Sequence, residues 1–328
     1  MWRALFDNVY VEKGILDDPE TVRILRRIGC PEPEITEHYK DVFDKRAEKE
    51  DGGRNLILAR NPGKHLYEGA PVCQSFGNEH FYYSPGVMNC VYDCEYCFLK
   101  GMYPGRDICI FTDMDETFSQ IDELVKNHPV YVCASYNTDL TALEGITGYV
   151  GRWCEKAART KELSVEIRSK CGRTDIYGNL PVSDSAIFAF TLSPDEIITR
   201  FERKTPDLEV RIGALNAAMK AGFPVRICFD PMIYVRNWRG IYSAMIDAVA
   251  SAVDLKAVRD ISIGTFRISD QYLKNMRKKY PDSAVTQYPY VNEDGYYQYP
   301  AEVRENMEGF MRDLLAEKCP DVQVFDWR

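Results

Sequence analysis

Residues 90–98 read CVYDCEYCF, and the reading of this loop decides what the surrounding strands and helices are for. Cys90, Cys94 and Cys97 have three and then two residues between them. Thiols this close do not stay idle when exposed, because a partly ionised cysteine oxidises or captures metal. Structural zinc usually takes two Cys-x2-Cys pairs, or one pair with two histidines. Only Cys94 and Cys97 form such a pair, and His38, His65, His80 and His128 fall at no matching spacing. A zinc site would have to draw on Cys73 or His80. Three thiolates on one loop instead suit an iron-sulfur cluster held through three irons, with the fourth open to another ligand.

Working outward, FYYSPGVMNC (81–90) reads as a strand that delivers the chain into the loop. Downstream, ETFSQIDELVKNHP (116–129) places Phe118, Ile121, Leu124 and Val125 on one helical stripe that stops at Pro129. VYVCAS (130–135) is a short β-branched strand. TALEGITGYVGRWCEKAART (141–160) is expected as one helix, with Thr138 and Asp139 as caps. LSVEIRS, AIFAFTLS, PVRICFDPMI and DISIGTFRIS follow as strands. Helices separate them at DLEVRIGALNAAMKAGFP, which stops at Gly222 and Pro224, and at RGIYSAMIDAVASAV. About six strand–helix units with nearly continuous apolar strands imply a parallel sheet covered on both faces. The expected fold is α/β, a partial parallel (β/α)6 barrel spanning 79–282. An N-terminal accessory segment (1–78) would precede it, with a C-terminal hairpin and helix (283–328) after it. The hairpin is predicted in YPYVNEDGYYQYP (288–300), turning at Asp294-Gly295. DKRAEKEDGGRN (44–55) reads as a surface loop.

The 328 residues are 45% hydrophobic and 28% charged, as in an ordinary globular protein. No run approaches the roughly 18 apolar residues of a membrane span. MWRALFDNVYVEKG lacks the charged and apolar regions of a signal peptide, so the expected location is cytoplasmic. Eleven cysteines, an odd and scattered set, do not resemble a secreted disulfide framework and are expected to be reduced. A formal charge of −9 excludes a broadly basic nucleic-acid surface but not a local basic groove.

With Tyr96 just before its last cysteine, the Cys-x3-Cys-x2-Cys loop resembles that of the radical S-adenosylmethionine superfamily. VYVCASYNTDLTALEGIT, VEIRSK, FAFTLSPDEIITRFERKTP, AAMKAGFPVRICFDPMIY and NWRGIY, with the opening YVEKGILDDPETVRIL, run in the order and spacing of the spore photoproduct lyase family. The resemblance covers roughly residues 1 to 280. It implies a [4Fe-4S] cluster on Cys90, Cys94 and Cys97, with S-adenosylmethionine as the second cofactor. It also implies a 5′-deoxyadenosyl radical that takes hydrogen from an ultraviolet-induced thymine dimer, and a cysteine thiol that returns hydrogen to the product. Flavodoxin or ferredoxin would be the electron donor and ultraviolet-damaged DNA the partner.

Carried onto this chain, Cys133 at the end of VYVC is the hydrogen donor, although a lone strand cysteine is more often a core residue. Tyr96 joins it as a catalytic candidate. The cofactor-binding candidates are Ser135, Lys170, Thr191, Ser193 and Asp230, with Arg168 and Arg267 as further strand-end cations. All lie at or just beyond the C-terminal ends of predicted parallel strands, the face on which barrels build their sites. Two departures bear on the substrate. Phe98 stands where the family often has a second tyrosine that relays hydrogen, which leaves Tyr136 as a guess for that role. The aromatic, acidic hairpin carries no Lys or Arg, so phosphate contacts would fall to Arg277, Lys278 and Lys279, or to Arg26 and Arg27. Three readings stand: a lyase acting on damaged DNA, a related enzyme for another nucleotide, RNA or small molecule, and a non-enzymatic metal-binding protein.

Overall fold

The structure is a computed structural model that describes residues 5–45, 53–70 and 73–326. Residues 1–4 and the centre of the expected charged loop, 46–52, lie outside the described residues. The main sheet holds seven parallel strands in chain order. They are β1 (Phe81–Tyr83), β2 (Val130–Cys133), β3 (Leu163–Ser169), β4 (Ala186–Thr191), β5 (Val225–Met232), β6 (Asp260–Thr265) and β7 (Val324–Asp326). Tyr67–Glu68 adds an antiparallel edge beside β1. This edge and β7 do not pair, so the sheet curls without closing, as a partial barrel does.

Helices Met114–Leu124, Tyr149–Arg159, Leu208–Lys220, Trp238–Ala252 and Ala301–Lys318 form the crossovers. The connection from β3 to β4 carries only a 3-10 turn at Tyr177–Asn179. Its sequence, with Gly172, Gly178 and Pro181, offers no apolar stripe for a helix to bury. The helix expected over 141–160 is broken at Gly148, whose φ of 63° ends one short helix and opens the next. Asp139 does not cap that helix. It accepts from the Ala142 backbone at 3.1 Å and binds Ser169 and Lys170 at the end of β3.

Two expected strands also divide. FYYSPGVMNC leaves the main sheet after Tyr83, and Val87–Met88 pairs antiparallel with Ile108–Phe111. Pro85 between the two pieces has no N–H for a ladder. DISIGTFRIS breaks at Phe266, and Arg267–Ser269 pairs instead with Tyr296–Gln298 of the hairpin. That hairpin turns where expected: Asp294 and Gly295 have φ of 50° and 85°, as a type I′ turn requires. Before residue 79, Glu34–Thr36, Val9–Glu12 and Leu56–Ala59 form parallel strands beside Ile108–Phe111 in a second sheet. The residues on either side of position 78 therefore share both sheets.

Period-two alternation gives the main sheet a charged face. It carries Tyr131 and Cys133 of β2, Glu166 and Arg168 of β3, Arg226 and Cys228 of β5, and Asp260 of β6. Arg226 reaches past β4 to Glu166 at 2.6 Å and to the Tyr131 hydroxyl at 2.6 Å. Its other nitrogens bind both oxygens of Asp260, and its guanidinium lies 3.2 Å from the centre of the Phe76 ring. Charges this deep are tolerated because each finds a partner; stranding one is far costlier than pairing it. Arg226→Met, which leaves Glu166 and Asp260 facing apolar surface, is expected to cost about 3–5 kcal/mol in urea unfolding. Loss of the exposed Lys13–Glu37 pair should leave the urea midpoint nearly unchanged. Equal effects would show that the buried network is not what holds these strands.

Candidate active site

The thiol loop is held at every turn. Asn89, in the left-handed region at φ 72°, donates its amide to the carbonyls of Gly105 at 3.2 Å and Asp107 at 3.0 Å, and its Oδ1 accepts from the Cys90 backbone at 2.9 Å. Asp93 is ringed by Lys100 at 2.8 Å, Arg106 at 2.7 Å, Lys204 at 2.8 Å and Arg54 at 3.6 Å. Although burial opposes them, these cations hold its carboxyl well below the usual range. Cys94 and Asp93 pair with Glu202 and Arg203 as a two-residue ladder. The Glu95 backbone donates to Phe201 at 2.8 Å.

Glu202 is the anchor behind the loop. Fully buried, it accepts from the Tyr96 hydroxyl, from Ser193 Oγ at 2.7 Å and from Arg211. Burial alone would raise its pKa; Lys170 and Arg211, with those hydrogen bonds, outweigh it and hold it at about 2.

Cys90, Cys94 and Cys97 are unbridged. Burial raises all three thiols, Cys90 to about 12, and each of Cys90 and Cys94 is pushed further by its neighbouring cysteines. Sulfurs in such surroundings lose their protons to a metal rather than to water. An anchored loop offering three thiols and no competing ligand fits a cluster bound through three irons.

The sequence-predicted residues separate into two groups. Lys170 stands where loop and sheet meet: its ammonium is 5.7 Å from the centre of the Tyr96 ring and acts on Cys94, Cys97, Glu202 and Asp230. Asp230, near the end of β5, and Arg267, two residues beyond β6, pair with each other at 3.0 and 3.1 Å and are nearly buried. Burial would raise the Asp230 pKa, but Arg267, Arg168 and Lys170 keep it depressed. The other group is committed to scaffolding. Ser135 Oγ donates to the Arg168 carbonyl at 2.9 Å and accepts from its N–H at 2.6 Å. Ser193 and Tyr96 spend their hydroxyls on Glu202. Thr191 is buried, and its carbonyl accepts from Arg211 at 3.1 Å.

Cys133 is 5% exposed at the end of β2. Its Sγ donates to Glu166 Oε1 at 3.8 Å. Tyr136 lies within electrostatic range of Cys133, stacks on Tyr83 at 4.3 Å and contacts Phe98 at 5.3 Å. Its hydroxyl is 3.3 Å from Cys73 Sγ. Sequence reasoning passed over Glu166 and Glu202, and weighed Cys73 only as a zinc ligand. Only Glu166 left a signal, as one of the alternating charges in VEIRSK. Of the basic candidates, Arg277 is spent on the carbonyls of Thr286 and Tyr288 at 2.9 Å each, and Arg27 reaches the Glu144 carbonyl at 3.3 Å. Of the hairpin tyrosines, Tyr290 and Tyr299 are buried in an aromatic cluster with Tyr288 and Tyr234.

A curled parallel sheet with an anchored three-thiol loop following its first strand defines the radical S-adenosylmethionine class of protein. The family profile described as spore photoproduct lyase matches residues 78–324, and the chain belongs to that family. The spore photoproduct lyase of Bacillus subtilis (strain 168) is 22% identical over 285 residues, covering 83% of this chain and 82% of that protein. That of Clostridium acetobutylicum is 22% identical over 292 residues, covering 85% and 84%. Among solved structures, a cysteine-to-alanine variant of spore photoproduct lyase superposes with a TM-score of 0.83 at 17% identity, over 97% of this chain and 98% of that one. A spore photoproduct lyase complexed with dinucleoside spore photoproduct gives 0.82 at 17% identity, with the same coverage. At these identities the superpositions establish the fold.

Because the Glu202 pKa is depressed, the stability it contributes is present above the ordinary glutamate value of about 4.3 and lost as the pH falls towards about 2. Glu202→Gln should remove that acid-side slope from the urea midpoint, and should also lower stability at neutral pH by leaving Arg211 without its counter-ion. Parallel pH profiles for wild type and variant would contradict the anchoring role.

Proposed function

We propose that this chain is a radical S-adenosylmethionine lyase that reverts spore photoproduct in ultraviolet-damaged DNA to two thymines, with Cys133 as the hydrogen donor. The observation that carries the reading is a buried thiol at the end of β2, in hydrogen-bond reach of Glu166 and within electrostatic range of Tyr136, which packs on Phe98 beside a loop of three unbridged cysteines. Cys90, Cys94 and Cys97 would hold the [4Fe-4S] cluster, and Lys170 is the cation suited to the carboxylate of S-adenosylmethionine. When bound, the two cofactors supply a reductively generated adenosyl radical able to take a hydrogen atom from the substrate.

The chain's own residues then do the rest. The curled sheet and the buried Phe76 exclude water from the charged face. Cys133 holds an S–H at a strand end and returns its hydrogen atom to the product radical. Phe98 has no phenolic hydrogen, and Tyr136, beside both Phe98 and Cys133, is the group placed to relay one. Ser135, Thr191, Ser193 and Tyr96 serve by fixing strand ends and the loop, and Asp230 with Arg267 forms a polar rim for the cofactor.

A small acidic one-electron carrier such as flavodoxin or ferredoxin suits the groove on the loop's outer side. Among the described residues, Lys100, Arg106, Arg203, Lys204, Lys278 and Lys279 line it against Asp93 and Glu95. Eleven unbridged cysteines favour a reducing compartment, the cytoplasm; among the described residues no helix is long and apolar enough to cross a membrane. The hairpin, with Glu293 and Asp294 and no cation, favours a second reading in which the substrate is another nucleotide, RNA or a small molecule.

The test is anaerobic turnover of a synthetic spore photoproduct dinucleotide, following 5′-deoxyadenosine and restored thymidine by mass spectrometry. Wild type is expected to yield both. Cys133→Ala should keep 5′-deoxyadenosine release while restored thymidine falls more than about tenfold, ~1.4 kcal/mol in barrier terms. 5′-Deoxyadenosine without thymidine in the wild type would move the substrate elsewhere.

A further inference from the structure

We propose that Glu166 is the positioning residue for the Cys133 thiol: its carboxylate accepts the S–H hydrogen bond, keeps the sulfur protonated, and parks the hydrogen against the sheet until it is given up. The proposal deepens the donor reading of Cys133 and rests on it.

The geometry is set by the sheet itself. Glu166 and Cys133 are register partners on adjacent parallel strands, so their side chains leave the same face side by side. Sγ and Oε1 are 3.8 Å apart, within reach of a sulfur hydrogen bond, and the two residues are 5% and 2% exposed. Every remaining direction of the carboxylate is fixed. Oε1 also accepts from Arg168 Nε at 3.1 Å, and Oε2 accepts from the Tyr131 hydroxyl and Arg226 Nη1, each at 2.6 Å. Arg226 is itself fixed by Asp260 and cannot follow a moving glutamate. The carboxylate is thus a fixed acceptor with one position left, and Cys133 fills it.

The chemistry calls for a sulfur that stays protonated. In the donor step the S–H bond breaks and a C–H bond forms: Cys133–SH plus the product carbon radical gives Cys133–S• plus the C–H product. One proton and one electron travel together, and a thiolate has no hydrogen atom to give. The groups that act on the thiol are Glu166 and Arg168 on β3, Cys73 before β1, and the hydroxyls of Tyr131 on its own strand and Tyr136 just beyond it. Cys228 and Asp230 on β5 stand behind Arg168. Burial and Glu166 favour the thiol, while Arg168 favours the thiolate. Without Glu166 the arginine would be opposed chiefly by burial.

Arg168 and Glu166 therefore pull the same sulfur in opposite directions, and their variants must differ in sign. The test uses the full, cofactor-free chain, alkylated with iodoacetamide across a pH series, with the Cys133 peptide followed by mass spectrometry. The reaction rate follows the thiolate fraction. Glu166→Gln should move the onset of Cys133 alkylation to lower pH by at least one unit, about tenfold faster on the rising limb. Glu166→Asp should restore part of the shift, and Arg168→Gln should move the onset the other way. In the loaded enzyme, Glu166→Gln should keep 5′-deoxyadenosine release while restored thymidine falls increasingly as the pH rises.

If Glu166→Gln fails to fold, Arg168→Gln alone decides. An onset unchanged from wild type in the folded variants overturns the proposal. Failure of the donor reading shows separately: the alkylation shifts would still appear, while Cys133→Ala would give unchanged products.

Discussion

The buried carboxylate of Glu202 joins two parts of the molecule that the chain makes separately. It sits at the C-terminal end of the helix Asp195–Phe201, pairs through its backbone with Cys94, and receives the Tyr96 hydroxyl from inside the thiol loop. Arg211, which is fully buried, supplies the counter-charge, and Ser193 ties the same group to the end of β4. Unpaired, either ion would destabilise the fold by several kcal/mol. Because the same carboxylate accepts from Tyr96 and its backbone pairs with Cys94, the position of three cysteines is tied to the packing of the barrel.

A second set of buried ions orders the interior. Arg226, Asp260 and Tyr131 occupy the early part of the strands, closed over by Phe76; Cys133, Glu166, Arg168 and Cys228 come next; Lys170, Asp230 and Arg267 lie towards the strand ends with the loop. Each buried arginine has a carboxylate in reach, Arg226 with Glu166 and Asp260, Arg168 with Glu166 and Arg267 with Asp230, so the sheet can carry polar groups on a water-poor face without stranding them. Preorganisation of this kind suits radical chemistry, in which stray water and mobile donors divert reactive carbon.

Much of this could be read in the residues. The Cys-x3-Cys-x2-Cys spacing marked the loop, the serial strand–helix pattern marked the barrel, and Asp294-Gly295 marked the hairpin turn, each by a local rule that tertiary packing did not override. The strands before residue 79 were missed because Leu56–Ala59 is four residues long and wholly buried, too short to show a period. Strand breaks at Pro85 and Phe266 depended on which sheet the next residues joined. Within the site, residue type located the strand ends well. It could not say that Ser135 and Ser193 spend their hydroxyls on Arg168 and Glu202, since those partners lie on other elements. Glu202 itself falls in FERKTP, a stretch that reads as solvated surface.

The central claim is that the loop is a cluster site poised to engage S-adenosylmethionine. Its most direct test is electron paramagnetic resonance of the reconstituted, reduced protein with and without S-adenosylmethionine, alongside iron and sulfide analysis. The account expects about four iron and four sulfide per chain, a reduced-cluster signal that changes when S-adenosylmethionine is added, and loss of the signal in alanine variants of Cys90, Cys94 or Cys97. One tightly held zinc per chain, or a cluster signal indifferent to S-adenosylmethionine, would contradict it.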